Sequence, residues 1–175
     1  ARLVLFGNFQ RHDIDFYDTY APVAAFVVVR IVIATACAKQ WTIHHLDVKS
    51  AFLNGYLDED IYMSLLREYS LPNGTACKLK RSIYGLRQAP RAWNKRLTDD
   101  LKLSGFQPLI NAESVFSSII DKSVVYLIIY VVDILVVAAL ESALNRVKTI
   151  SAKLYKIKDL GNDEYFLGNE IEREH

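Results

Sequence analysis

Val124-Val125-Tyr126-Leu127-Ile128-Ile129-Tyr130-Val131-Val132-Asp133-Ile134-Leu135-Val136-Val137-Ala138-Ala139-Leu140 is a run of seventeen residues with a single charge, Asp133. Its wealth of Val, Ile and Tyr favours extended backbone over helix. The run therefore reads as two short strands joined at Val131–Asp133, and Tyr126–Tyr130 is expected to pair with Ile134–Ala138 as an antiparallel hairpin with Asp133 near its tip. A carboxylate withdrawn from water is costly unless a metal, a partner or a solvent-filled cleft receives it. The run is near the lower length limit for a membrane-spanning helix, but an acid close to its middle opposes that use. A membrane-associated domain is thus the weakest functional reading.

A second acid stands in Leu46-Asp47-Val48-Lys49-Ser50-Ala51-Phe52-Leu53, where a short apolar strand signal gives way to a helical one. Taken singly, Asp47 has a structural explanation as an acid at a helix N-terminus and Asp133 as a hairpin-turn residue. As a pair they say more, because two strand-borne carboxylates far apart in sequence can converge on one divalent metal, as phosphoryl transfer by two metal ions requires. Asp47 is expected beside Asp133 on a neighbouring strand.

The 175 residues are 51% hydrophobic and 23% charged, which suits one globular domain and excludes a disordered chain. A net charge of +1 announces no nucleic-acid partner by itself. Its distribution is more pointed: Lys78–Arg96 holds seven basic residues and no acidic one, a stretch suited either to phosphate contact or to a solvated face. Cys37 and Cys77 form neither a disulfide framework nor a zinc spacing and read as reduced and intracellular. The start, Ala1-Arg2-Leu3-Val4-Leu5-Phe6, has neither an initiator Met nor a signal-peptide layout and reads as the interior of a longer polypeptide.

Working outward, Ala1–Leu5 reads as an edge strand, His12–Tyr20 as a polar loop, and Phe26–Ala38 as a helix despite its valines. Thr42–Val48 gives a buried strand signal and Ser50–Leu57 a short helix with Ser50 as its N-cap. Ile61–Met63 and Lys78–Ile83 read as strands. Gln88–Ser104 is the clearest helix: Trp93, Leu97 and Leu101 recur every four residues, Pro90 sits in the first turn, and Gly105 follows the end. Trp93 is expected in the core, with Arg91 and Lys95 outside. Ser114–Ile120 and Val124–Leu135 supply strands, Glu141–Lys156 an amphipathic helix, and Tyr165–Ile171 a last strand. Helices interleaved with hairpin-paired strands indicate an α+β fold, a mainly antiparallel sheet with helices on one face. His44 and His45, adjacent in a strand, face opposite sides and read as structural.

These strings together resemble the reverse transcriptase of copia-type retrotransposon polyproteins. The likeness runs in order through Ala1–Val4, Tyr20–Ala24, Leu46–Gly55, Ile61–Met63, Leu79–Trp93 (LKRSIYGLRQAPRAW), Tyr130–Asp133, and Asp159–Gly161 through Tyr165–Gly168. It implies a right-hand polymerase, with this segment giving part of the fingers and most of the palm. It implies magnesium, an RNA/DNA primer-template and deoxynucleotides, the rest of the polyprotein (integrase and RNase H) as partners, and a place in a cytoplasmic particle or the nucleus. By the same resemblance Asp47 and Asp133 are metal-binding acids, assisted by the backbone carbonyl of Val48. Phe52 is the ring beneath the sugar, Gln88 and Arg2 contact the incoming nucleotide, and Leu167-Gly168 belongs to the strand supporting the primer end.

The family's metal box is Tyr-x-Asp-Asp. Here it is Tyr130-Val131-Val132-Asp133, with Val132 in place of the first acid. A valine offers no ligand oxygen. Phe6 also stands where a cation is usual, Asn8 where an aromatic is common, and Asp13 where Gly is usual. The expectation is a reverse transcriptase domain whose catalytic site has degenerated. For this chain that favours a non-catalytic nucleic-acid-binding remnant over an active RNA-directed DNA polymerase.

Overall fold

β1 (Thr42–Val48) lies one place in from the edge of a six-stranded sheet, paired on both sides. The computed structural model describes residues 3–64, 76–162, 165–166 and 169–170. The chain divides into two compact units, one of residues 1–21 and 50–98, the other of 22–49 and 99–175.

In the second unit the sheet order is β4 (Gln107–Leu109), β5 (Ala112–Ile120), β6 (Ser123–Tyr130), β7 (Asp133–Ala138), β1, β8 (Ile157–Asn162), and every neighbouring pair is antiparallel. The apolar run does form a hairpin: β6 and β7 pair from Val125–Ala138 to Tyr130–Asp133, leaving Val131-Val132 as the two-residue turn. The β5–β6 hairpin turns through Asp121 and Lys122, both at positive φ, as a tight two-residue connection demands.

The side chains of β1 alternate between the two faces of the sheet. Ile43 joins Leu135, Val137, Ile128 and Val115 in one buried cluster with Val29, Val32 and Ala36 of α1 (Phe26–Ala38), whose i, i+3, i+7 spacing outweighs its β-branched composition. His44 points to the other face. There Asp159 of β8 lies 3.6 Å from His44 Nδ1 and accepts a 2.6 Å bond from Lys148 Nζ of α3 (Glu141–Leu154). α3 buries Ala143, Leu144, Val147 and Ser151. The helices therefore cover both faces of the sheet, not one as the sequence suggested. Almost every residue of β6 and β7 is apolar, so both faces demanded cover, and the α+β alternation alone does not say so.

Other boundaries move for local reasons. Ser50–Leu57 holds only a single 3-10 turn, Ala51–Asn54, and Ser50 adopts φ +54 without capping it by its side chain. Instead Asn54 Nδ2 donates back to the Ser50 and Ala51 carbonyls. The turn stops at Gly55, where a Cβ would stand 2.8 Å from backbone atoms of Ala92 and Trp93. Of Ala1–Leu5, residues 3–5 form no strand, and Leu5 N–H bonds the Tyr84 carbonyl at 2.9 Å. A Cβ on Gly7 would stand 2.1 Å from the Gly85 carbonyl oxygen and one on Gly85 1.9 Å from the Leu5 carbonyl oxygen, and Gly85 is at φ +95. β2 (Tyr62–Ser64) pairs with β3 (Ala76–Lys78), so the strand read at Lys78–Ile83 ends where it was expected to begin. α2 (Ala89–Leu103) buries Trp93, Leu97 and Leu101, with Lys95 exposed and Arg91 part-exposed. Of the last strand, Tyr165–Phe166 (β9) and Asn169–Glu170 (β10) are described and pair with each other. Among the described residues no helix is long and apolar enough to cross a membrane.

Trp93 is 1% exposed. Trp93→Ala should therefore lower unfolding free energy by about 3–5 kcal/mol in a denaturant titration; a loss below about 1 kcal/mol would contradict its place in the core. Burial pushes the Asp159 carboxyl up, but the Lys148 ammonium and the Gly161 N–H outweigh it and hold the carboxyl below its ordinary 3.8. The ionised form is thus favoured by folding. Its contribution is complete above the unfolded value and is lost as pH falls through the folded one. Asp159→Asn should lower the melting temperature at pH 7, and the gap should close as the pH drops below about 4; a gap independent of pH would show that charge is not what Asp159 contributes.

Candidate active site

Asp47 and Asp133 are direct partners across the β1–β7 ladder. Residues so opposed carry Cα atoms about 4.5–5.5 Å apart with side chains on one face, so two acids 86 positions apart in the chain (133 − 47) are brought side by side. Both are part-exposed, at the end of a ladder whose β7 side is otherwise apolar. The ladder continues one step into the turn, where Val48 N–H donates to the Val132 carbonyl at 3.1 Å. Val131 is at φ +55, an uncommon conformation for a β-branched residue and a point of backbone strain beside the two acids.

His45 enters the site as well. It lies two positions before Asp47, on the same face of β1, and its Nε2–H donates to Asp133 Oδ1 at 2.7 Å. The edge of its ring meets Phe166, with centroids 5.4 Å apart and planes at 88°. The sequence reading placed the two histidines on opposite faces, as found, but missed this contact. The i, i+2 spacing of His45 and Asp47 was the available signal, and only the strand register shows that Asp133 lies diagonally within reach.

The donor set is therefore two carboxylates, one of them engaged by a histidine. Val132 contributes no side-chain oxygen, and its carbonyl is taken by Val48. Among the described residues no group of three or more His, Cys, Asp or Glu is placed to hold a metal ion. Magnesium seeks near-octahedral oxygen ligation, and a pair of ions needs carboxylates that bridge them. These residues do not fit a two-magnesium centre.

In the first unit, Phe52 and Tyr84 form a tilted aromatic pair with centroids 4.9 Å apart, both part-exposed. The Phe52 backbone is pinned, its carbonyl accepting from the Gly55 N–H at 3.1 Å and from the fully buried Ser82 hydroxyl. Gln88 is 2% exposed and both ends of its amide are in use: Oε1 accepts from Gln10 Nε2 at 2.9 Å, and Nε2 donates to the Asp15 carbonyl at 3.0 Å. Gln10 Oε1 in turn accepts from the Arg87 N–H at 2.8 Å. Arg2, Leu167 and Gly168 lie outside the described residues.

The family model described as "Reverse transcriptase (RNA-dependent DNA polymerase)" matches residues 1–175. The chain is 38% identical over 176 aligned residues to the retrovirus-related Pol polyprotein from transposon RE1 of Arabidopsis thaliana, and 36% identical to that from transposon RE2 of the same plant. It is 33% identical to the retrovirus-related Pol polyprotein from transposon TNT 1-94 of Nicotiana tabacum. Each likeness covers 99% of this chain but only 12–13% of the polyprotein. No solved structure matches. The chain belongs to the reverse transcriptase (RNA-dependent DNA polymerase) family, in its copia-type retrotransposon branch.

Proposed function

We propose that this chain is the fingers-and-palm segment of a copia-type reverse transcriptase that keeps its framework for primer-template and nucleotide but has lost two-metal phosphoryl transfer. The observation that carries this reading is the Val132 turn. Asp47 and Asp133 are direct cross-strand partners, yet the turn residue next to Asp133 offers a branched alkyl group where the family's pattern has a carboxylate. Two cations about 4 Å apart repel strongly unless a shared anionic ligand screens them. With that ligand absent, and with Asp133 hydrogen-bonded to His45, the acids hold at most a weakened share of the charge that the reaction needs.

The remaining roles follow from position. The pinned Phe52 ring is the surface against which a sugar would sit; a bulky aromatic there discriminates sterically against a 2′-hydroxyl. Gln88 acts through the segment it braces, since its amide is already committed to Gln10 and Asp15. Arg2 is assigned to the nucleotide phosphates by the family's pattern alone. The partners are a primer-template, deoxynucleotides and the other domains of a polyprotein, inside the cell. A non-catalytic nucleic-acid-binding remnant is the same reading with the chemistry removed.

Completed with the remaining fingers and thumb of a related element, the chain should show no measurable magnesium-dependent primer extension on an RNA template. Val132→Asp should restore extension, and Asp47→Ala added to that repair should abolish it again. Robust extension by the unrepaired chain would overturn the dead-site reading. No gain from Val132→Asp would place the decisive lesion elsewhere.

A further inference from the structure

Because β1 is paired on both sides, Asp47 has a direct partner on each: Asp133 of β7 and Lys158 of β8. Opposed residues of an antiparallel ladder present their side chains on the same face. Asp133, Asp47 and Lys158 thus form a row across three neighbouring strands, two like charges with a cation at one end. Lys158 is exposed, and among the described residues no carboxylate lies within ion-pair distance of it. Its neighbour in the chain, Asp159, points to the other face and is held there by Lys148 at 2.6 Å.

The other end of the row is occupied as well. His45 donates to Asp133 Oδ1 at 2.7 Å, and the edge of its ring rests on Phe166, which is 2% exposed, so packing holds the donor in place. Each acid therefore has a group of the protein beside it, a fixed N–H at Asp133 and an ammonium on a flexible stem across from Asp47. Cβ atoms of opposed residues are about 4.5–5.5 Å apart, a distance that a lysine stem spans in several rotamers.

We infer that the acid pair is neutralised from within: His45 and Lys158 stabilise the metal-free site and compete with a divalent cation for Asp133 and Asp47. Like charges directly opposed are destabilising and opposite charges so placed are favourable, so Lys158 offsets what Asp133 costs Asp47. An incoming cation has to displace the His45 bond from Oδ1 or accept only the remaining oxygen, and it meets the positive charge of Lys158. The inference rests on the reading of this site as a lost two-metal centre and deepens it. Val132 withholds a ligand, while His45 and Lys158 make the two acids that remain less available.

Metal-free thermal melts of the 175-residue chain at low salt and fixed pH test the first half. His45→Phe, which keeps an aromatic edge for Phe166, should lower the melting temperature by about 3–6 °C, and Lys158→Met by about 1–3 °C. The first loss should largely disappear in the presence of Asp133→Ala and the second in the presence of Asp47→Ala, as double-mutant cycles reveal coupling. Lys153→Met, at an exposed position on α3, should show no coupling to Asp47. Manganese titration calorimetry tests the competition. Added to Val132→Asp, His45→Phe should tighten binding about tenfold and Lys158→Met about threefold, the latter gain shrinking as salt rises from about 50 to 200 mM. Lys158→Met, an exposed change, carries both measurements if His45→Phe does not fold. Additive melts without coupling would overturn the inference. Unchanged or weaker manganese binding in the combined variants would also overturn it and leave the reading of Val132 standing. Tight binding of two ions by the unaltered chain would overturn both.

Discussion

Apolar burial along the β1–β7 ladder is the constraint on which the rest of the second unit depends, and at the end of that ladder it holds two carboxylates opposite one another. Like charges at directly opposed positions are destabilising, and the fold tolerates Asp47 against Asp133 because the five pairs before them are fixed by apolar burial. Ile43, Leu135 and Val137 face the cluster that includes α1, while Leu46, Ile134 and Val136 are buried on the other side. With both faces covered, a one-residue slip of β1 against β7 would expose one set and bury polar groups in the other. Register is thus set by grease, and the acids inherit their positions from it. The His45 bond to Asp133 is the local compensation, giving one of the two carboxylates a donor where otherwise it would have only a like-charged neighbour.

On the function proposed above, that division of labour is how a catalytic site decays while the scaffold persists. The turn residue Val132 contributes backbone to the ladder through its carbonyl, a contribution any residue makes. On the same proposal, a valine there keeps the backbone contribution to register and hairpin and spares a crowded site a third negative charge, a common trade between stability and activity. In the first unit the Phe52 ring, the Gln10–Gln88 amide pair and the Gly7–Gly85 close approach are likewise held by backbone bonds and packing that do not depend on turnover.

How much could be read from the chain alone follows the same line between packing and pairing. α2 was legible because Trp93, Leu97 and Leu101 recur every four residues, β1 as a short buried strand signal, and the hairpin because a lone acid interrupts a β-branched run; α1, whose valines favour a strand, was read as a helix only from its length and Ala-rich end. β4 was not, since Gln107–Leu109 is short and carries Pro108, tolerable only because the strand lies at the sheet edge. Nor was β8: Ile157–Asn162 holds a Gly, an Asp and an Asn and looks like a turn, yet its backbone completes the sheet beside β1. The two-sided cover of the sheet escaped because helix-forming patterns show which stripe is apolar, not which face of a sheet receives it. At the site, Asp47 and Asp133 were visible as costly charges. The His45 contact and the occupied amide of Gln88 were not, because each is made by a residue distant in sequence that no local pattern marks.

Metal binding tests the central claim without requiring a complete polymerase. Isothermal titration of the chain with magnesium, and with manganese as the tighter-binding probe, can be compared with the same titration of Val132→Asp. The expected result is no saturable binding attributable to Asp47 and Asp133 in the unaltered chain and a new binding event in Val132→Asp that Asp47→Ala removes. Equal binding of two ions by the unaltered and repaired chains would contradict the claim that Val132 is what disables the site.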